Sequence, residues 1–377
     1  MAVKALVVGG TGATGVPIIA GLLKRGYEVA ILHRGVHEAD LPPEVEHIHA
    51  DPHWPENIGQ ALEGKSFDLA MVVYGRLRLL AEALIGRTPR LISVGRALAT
   101  YKGWMRVTES NPWEKMEESP VLLKEDDPLA VAPGVDHFSE QVRESERVIM
   151  QGHHDGHYNA THFRYPIVYG PRHIGPPEWA IIRRVRDGRK RVILPGGGMS
   201  LLSRGFADNV AHGIMLAVDN PTASAGQIYN ICDERVLYNR EWIRTIAQIM
   251  NHEFEFVEIP FDLLPPGFRA APTQTLFRYH RVMDISKIKE QLAYRDIVPV
   301  HQALELTVKW YSENPLPPGG EMEQNLGDPF DYAYEDQLIQ IYKAGREQLQ
   351  REIRMAAGAK VTWRHPYPHP QKRGDLR

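Results

Sequence analysis

A doubly wound α/β sheet is the fold class predicted for this 377-residue chain. Two observations predict it. The apolar run Ala5–Val8 passes straight into "GGTGATG" and then into a helical apolar pattern. Beyond it, strand-like and helix-like segments alternate to about residue 170, the order that builds a parallel sheet with helices on both faces.

Ala5–Val8 reads as a strand buried on both faces. Glycines follow at 9, 10, 12 and 15, then Ile18, Ile19, Leu22 and Leu23 at helical spacing, and Gly26 closes the helix. A tight turn, close backbone approach and a helix amino terminus together make a pyrophosphate cradle, readable as Gly9-x-x-Gly12-x-x-Gly15 or Gly10-x-Gly12-x-x-Gly15. "YEVAILHRG" and "VEHIHA" are the next two strands. "FDLAMVVYG" and "PRLISVG" are the fourth and fifth, with a helix near Leu79–Ile85 between them. "VDHFSEQVRESERVIM" is an amphipathic helix with Phe138, Val142 and Ile149 at helical spacing and Asp136 or Ser139 as its cap. "THFRYPIVYGPR" reads as a sixth strand leaving the sheet. "GFADNVAHGIMLAVDN" is a further helix, with Asp208 near its start, and "REWIRTIAQIMNHEFEFVEIP" a helix and strand.

Composition bounds the function. Hydrophobic and charged contents of 43% and 24% are ordinary globular values. A net charge of -3 and a pI near 6.6 give no electrostatic reason to expect nucleic acid or an anionic membrane as partner. One cysteine, Cys232, excludes an intramolecular disulfide and fits a reducing, cytoplasmic setting. The amino terminus lacks the apolar region and cleavage site of a signal peptide, and Gly75, Arg76 and Arg78 break the one long apolar run. A soluble protein is expected.

The motifs "GGTGATG", "FRYPIVYGPR" and "RGFADNVAHGIMLAVDNPTASAGQIYNICDE" resemble the extended short-chain dehydrogenase/reductases, in the NAD-dependent epimerase/dehydratase group. The resemblance covers residues 1 to about 312. It implies a Rossmann-type domain over 1–171 that returns at about 206–235, and a smaller substrate lobe from 172–205 and 236–312. A helical extension and tail, 313–377, lies beyond it. The resemblance also implies a bound NAD(H) or NADP(H), with Gly9, Thr11, Gly12, Ala13, Thr14, Gly15, His33, Arg34, Asp51, Tyr74, Ser93, Pro166 and Ile167 as the cofactor-binding set. His33 and Arg34 stand where an NAD-selective fold places an acid. A guanidinium there attracts a 2′-phosphate, so NADP is preferred, with NAD as the alternative. Asp51 is either an adenine contact or a strand-end turn residue.

Members of this group usually carry a Tyr-x-x-x-Lys pair at the start of the helix that here begins near Val135. Anchored on Glu146, that register holds Phe138 and Val142, and no tyrosine of the chain has a lysine four residues on. Tyr101 and Lys102, in "TYKGW" after the fifth strand, and His137, one residue before Phe138, are the candidates for proton transfer. Tyr165 and Tyr169 can line the pocket. No metal site is expected: "QGHHDGHYNATH" lacks tight ligand spacing and reads as a connector. The run from Arg183 to Arg191 either grips an anionic substrate or is a solvated helix face, the second being preferred.

The expected function is hydride transfer between a nicotinamide cofactor and a small carbonyl, hydroxyl or sugar-like substrate, by an oxidoreductase or epimerase with unconventional acid–base residues. The alternative is a dinucleotide-binding sensor or scaffold, RNA- or partner-binding, that kept the fold without the catalytic pair. The long helix in "DPFDYAYEDQLIQIYKAGREQLQREIRMAAG" caps the pocket or pairs two copies in a homodimer, with Leu338, Ile341 and Tyr342 on one apolar face. "WRHPYPHPQKRGDLR" reads as a mobile or docked arm.

Overall fold

The structure is a computed structural model that describes residues 3–104, 119–130, 137–265, 268, 272, 278–356 and 358. Seven parallel strands form the main sheet, in the order β11-β6-β5-β4-β1-β2-β3. They are β1 (Val3–Val8), β2 (Tyr27–His33), β3 (Glu46–His49), β4 (Leu69–Val72), β5 (Arg90–Arg96), β6 (Asn159–Tyr165) and β11 (Gln227–Asn230). Alternate residues of β1 feed two different cores. Ala5 and Val7 join Ile18, Ile19 and Leu22 of α1 (Gly15–Lys24) and Val210 and Ile214 of α7 (Ala207–Asp219). Leu6 and Val8 join Ile58 of α2 (Pro55–Ala61), Leu80 of α3 (Leu77–Ala83) and Ile149 of α5 (His137–His154). Burial on both faces is why β1 reads as a continuous apolar run.

The expected strands are all present. The predicted exit from the sheet falls inside "RYPIVY": β6 stays in the sheet to Tyr165, while β7 (Ile167–Tyr169) leaves and pairs with β10 (Arg204–Phe206). Pro166, which lacks a ladder N–H, sits at the break.

A third apolar cluster holds the smaller lobe. It joins α6 (Trp179–Arg186), α8 (Asn239–Ile249) and α10 (Val300–Glu313) to the parallel pair of β8 (Arg191–Pro195) and β13 (Glu255–Ile259). The basic run is divided: Arg186 and Lys190 are exposed, as a solvated face requires, while Arg183 and Arg184 are engaged. Arg184 is fully buried in an ion pair with Asp328 (2.6 Å), and Arg183 pairs with Asp187 (2.7 Å) and Glu323 (2.6 Å). These arginines fasten residues 319–328 onto α6, so the compact unit runs to Phe330 rather than ending near 312. A second unit from Asp331 contains α12 (Tyr332–Met355), whose cap Asp331 accepts from Tyr334 N. On α12 Ile341 is exposed, so it does not share a buried face with Leu338. The expected arm after residue 358 lies outside the described residues. Among those described, no helix is long and apolar enough to cross a membrane.

Helix α5 begins at His137, and its expected cap Asp136 lies outside the described residues. Of the expected Phe138–Val142–Ile149 stripe only Ile149 is buried. Ser139, Glu146, Ile149 and Gly152 are buried, and Phe138 is 41% exposed under the Arg96 guanidinium. The reason is a buried charge on the facing strand: Glu146 turns inward to hold Arg164 of β6.

Candidate functional site

The glycine turn lies where the sheet order reverses, since β1 has β2 on one side and β4 on the other. Each glycine has its own reason. Gly9 adopts φ +92°, and a side chain there would overlap Tyr74. A Cβ on Gly15 would overlap the Gly10 carbonyl, so α1 packs directly onto the turn. A Cβ on Gly12 would meet no protein atom within 4 Å. Gly15 N and Val16 N donate to the Gly12 carbonyl. The N–H groups of Gly12, Ala13 and Thr14 donate to no acceptor among the described residues. Thr11 to Thr14 are only partly covered, and the first turn of α1 holds no acidic residue. Unpaired amides at the start of a helix with no carboxylate nearby are the chemistry that takes a pyrophosphate.

Three of the expected rim residues converge beside this loop. The Arg34 guanidinium lies 5.5 Å from the centre of the Tyr74 ring, and His53 meets the same ring edge-on at 5.2 Å. Asp51 accepts from His53 N (3.0 Å) and pairs with His53 Nδ1 (2.7 Å). Partial burial would raise the Asp51 carboxyl, but the His53 contacts and Arg34 hold it below its ordinary range. Tyr165, at the end of β6, buries its hydroxyl beside Thr14, and Pro166 and Ile167 follow at the same edge.

Other expected residues stand elsewhere. His33 is only 3% exposed, and its ring bonds His47 and the Gly35 N–H, so it does not line the rim with Arg34. Ser93 is fully buried in β5, with Oγ 2.8 Å from His162 Nδ1. Tyr169 is buried in the smaller lobe against Trp242, donating to Asp233, so it does not line a pocket.

The proton-transfer candidates are dispersed. Tyr101 follows the short helix α4 (Ala97–Thr100) and is fully buried. Its hydroxyl donates to Asn230 Oδ1 (2.6 Å) and accepts from Arg164 Nη1 (2.8 Å). Burial outweighs Arg164 and pushes the phenol up to about 12, so it keeps its proton at neutral pH. Lys102 is exposed in the turn that follows the buried Tyr101, so the two side chains are not presented together. His137 is exposed at the first turn of α5, 4.0 Å from Glu140.

Between β5, β6 and α5 lies a polar network that the sequence reading did not assemble. Glu146 holds Arg164 in a two-pronged pair (both 2.8 Å), and Arg164 also donates to the Glu125 carbonyl and the Tyr101 hydroxyl. His162 Nε2 stands 3.5 Å from Glu146 Oε2. Gly95 makes room for that ring, since an added Cβ would come 2.6 Å from His162 Nε2. The available signal was His162 and Arg164 two apart on a strand otherwise buried on both faces, a position that polar groups occupy only with partners.

Residues 116–232 match the family model described as the NAD dependent epimerase/dehydratase family. The bovine "sterol-4-alpha-carboxylate 3-dehydrogenase, decarboxylating" is 24% identical over 343 residues, covering 81% of this chain and 92% of the relative. UDP-glucose 4-epimerase from Thermotoga maritima, solved with UDP-glucose, superposes with a TM-score of 0.66 at 17% identity, over 82% of this chain and 99% of that one. A dTDP-glucose 4,6-dehydratase from Streptomyces venezuelae, solved with NAD, gives 0.62 at 19% identity, over 82% and 97%. Residues 116–232 thus carry the signature of NAD-dependent epimerases and dehydratases, set in a fold that solved members of that group share.

Proposed function

We propose that the protein is an NAD(P)-dependent oxidoreductase or epimerase acting on a small hydroxyl, carbonyl or sugar-like substrate. The observation that carries this reading is the β1–α1 turn, with its free amides and the open face of Gly12 at the reversal of the sheet. When bound there, the nicotinamide supplies or accepts the hydride. The residues of the chain hold the pyrophosphate on the Gly12–Thr14 amides and frame the adenosine end with Tyr74, Asp51 and Arg34. The bovine relative's name describes a dehydrogenase that decarboxylates, which supports including hydroxy acids in the substrate panel.

NADP is the preferred cofactor. Arg34 is exposed at the end of β2, free to approach a 2′-phosphate, and Asp51 is engaged by His53 rather than presented as a bare anion. Arg34→Glu is expected to weaken NADPH at least ~10-fold while leaving NADH within a few-fold, because a charge-assisted pair worth about 1.5–3 kcal/mol becomes a repulsion. Fluorescence titration with both nucleotides checks this. Equal losses for the two would remove Arg34 from the 2′-phosphate.

For proton transfer, His137 is the exposed candidate, and Tyr101 is sealed. His137→Ala is expected to lower turnover at least about tenfold with cofactor affinity unchanged. The sealed Tyr101 hydroxyl also favours a second reading, a dinucleotide sensor without catalysis. NADPH binding with no hydride exchange over a broad carbonyl and hydroxy-acid panel would establish the sensor and overturn the enzyme.

A further inference from the structure

The sheet edge away from the catalytic candidates carries a cluster that the cofactor reading does not use. In the β2–β3 register His33 stands opposite His49 and Ile31 opposite His47, so His33, His47 and His49 share one face. One ring nitrogen from each lies within 4.8 Å of the other two. Glu38, from the loop after β2, brings its carboxylate 4.0 Å from His33, 4.0 Å from His47 and 3.7 Å from His49. That loop returns over the strands because Gly35 adopts φ +72°, and a Cβ there would press on His49 at 3.3 Å.

We propose that His33, His47, His49 and Glu38 form a binding site for a divalent transition metal of borderline softness, of which Zn2+ is the type. Three imidazoles and one carboxylate are a donor set that suits such an ion. Metal–ligand bonds of 2.0–2.1 Å place tetrahedral donor atoms about 3.3 Å apart. His33 Nε2 and His47 Nδ1 are 3.0 Å apart. The exposed Glu38 carboxylate, now 4.0 Å from His47 Nδ1, 3.7 Å from His49 Nε2 and 4.0 Å from the other His33 nitrogen, Nδ1, must swing in to join them. In the metal-free cluster a His33–His47 hydrogen bond and a long Gly35 N–H contact (3.3 Å) hold the rings, and the ion replaces them. His33 is buried while His47, His49 and Glu38 are part-exposed, giving one anchored ligand and an open entry path. The intervening Ile48 packs on the opposite face with Leu32, which fixes the register.

The test uses the full chain, stripped with a chelator and dialysed against Co2+ and then Zn2+. About one ion per chain is expected, with the visible absorption of four-coordinate Co2+ that Zn2+ abolishes. The double variant His47→Ala/His49→Ala alters only the exposed edge strand and should fold with unchanged circular dichroism. Its affinity should fall at least about 10-fold, and that of Glu38→Gln measurably. A triple variant of His153, His154 and His157 should bind as the parent does. Absence of stoichiometric binding, or binding lost in the triple variant but retained in the double one, would overturn the site.

Discussion

Replacing Glu146 with leucine is expected to lower the stability of the main unit by about 3–5 kcal/mol, because it leaves the Arg164 guanidinium buried without its counter-charge. Chemical denaturation followed by circular dichroism checks it, and a loss below 1 kcal/mol would show that Arg164 finds water or another partner. The same network predicts acid lability. Burial pushes His162 down to about 4; Glu146 opposes the shift, and Arg164 adds to it. A folded pKa below the unfolded value of about 6.5 means that the unfolded chain takes up the proton first. Stability is therefore full above pH ~6.5 and declines as pH falls toward 4, by about 3 kcal/mol for this group alone. Glu146 is raised by burial but brought below its ordinary value by Arg164 and His162, so its contribution is also lost as acidity increases. His162→Gln should flatten the slope between pH 6.5 and 4 without abolishing it, since His173 is likewise pushed down to about 4 by burial. An unchanged slope in His162→Gln would place the acid sensitivity elsewhere.

The sheet was legible because its determinants are local. Ala5–Val8, the glycine spacing and the alternating segments each specify an element without reference to distant residues, and the first six strands of the sheet appear where the pattern put them, while the seventh, Gln227–Asn230, was not placed by pattern. The network around Arg164 was not legible, because Glu146 and Arg164 are 18 residues apart and Tyr101 and Asn230 are 129 apart. Helix α5 illustrates the physical cause. Its apolar spacing favoured burying Phe138, but the cost of leaving Arg164 unpaired is larger than one exposed aromatic, so the helix presents Glu146 inward. His33 is a similar case. Its position in the chain suggested the cofactor rim, while strand pairing with β3 turned it toward His47 and His49. Arg34, Asp51 and Tyr74 do come together, since strand ends at a sheet reversal converge by topology.

Substitutions at Gly12 and Gly15 are expected to separate binding from folding. A Cβ at Gly12 meets no protein atom within 4 Å and the position needs no left-handed backbone, so Gly12→Val should melt within a degree or two of the parent. Its side chain would occupy the space in front of the Gly12–Thr14 amides. Losing two charge-assisted bonds at about 1.5 kcal/mol each would weaken NADPH roughly 100-fold. Alanine at Gly15 is the smaller change chemically and the more damaging one structurally. Its Cβ falls on the backbone of Gly10, which no rotamer can relieve, so α1 must lift from β1 at about 1–3 kcal/mol or more. Thermal melting and nucleotide titration of both variants decide between the outcomes. A Gly12→Val protein that binds NADPH as the parent does would mean that the pyrophosphate does not lie on this turn. The assignment of the cofactor site, and the hydride chemistry built on it, would fall with that result.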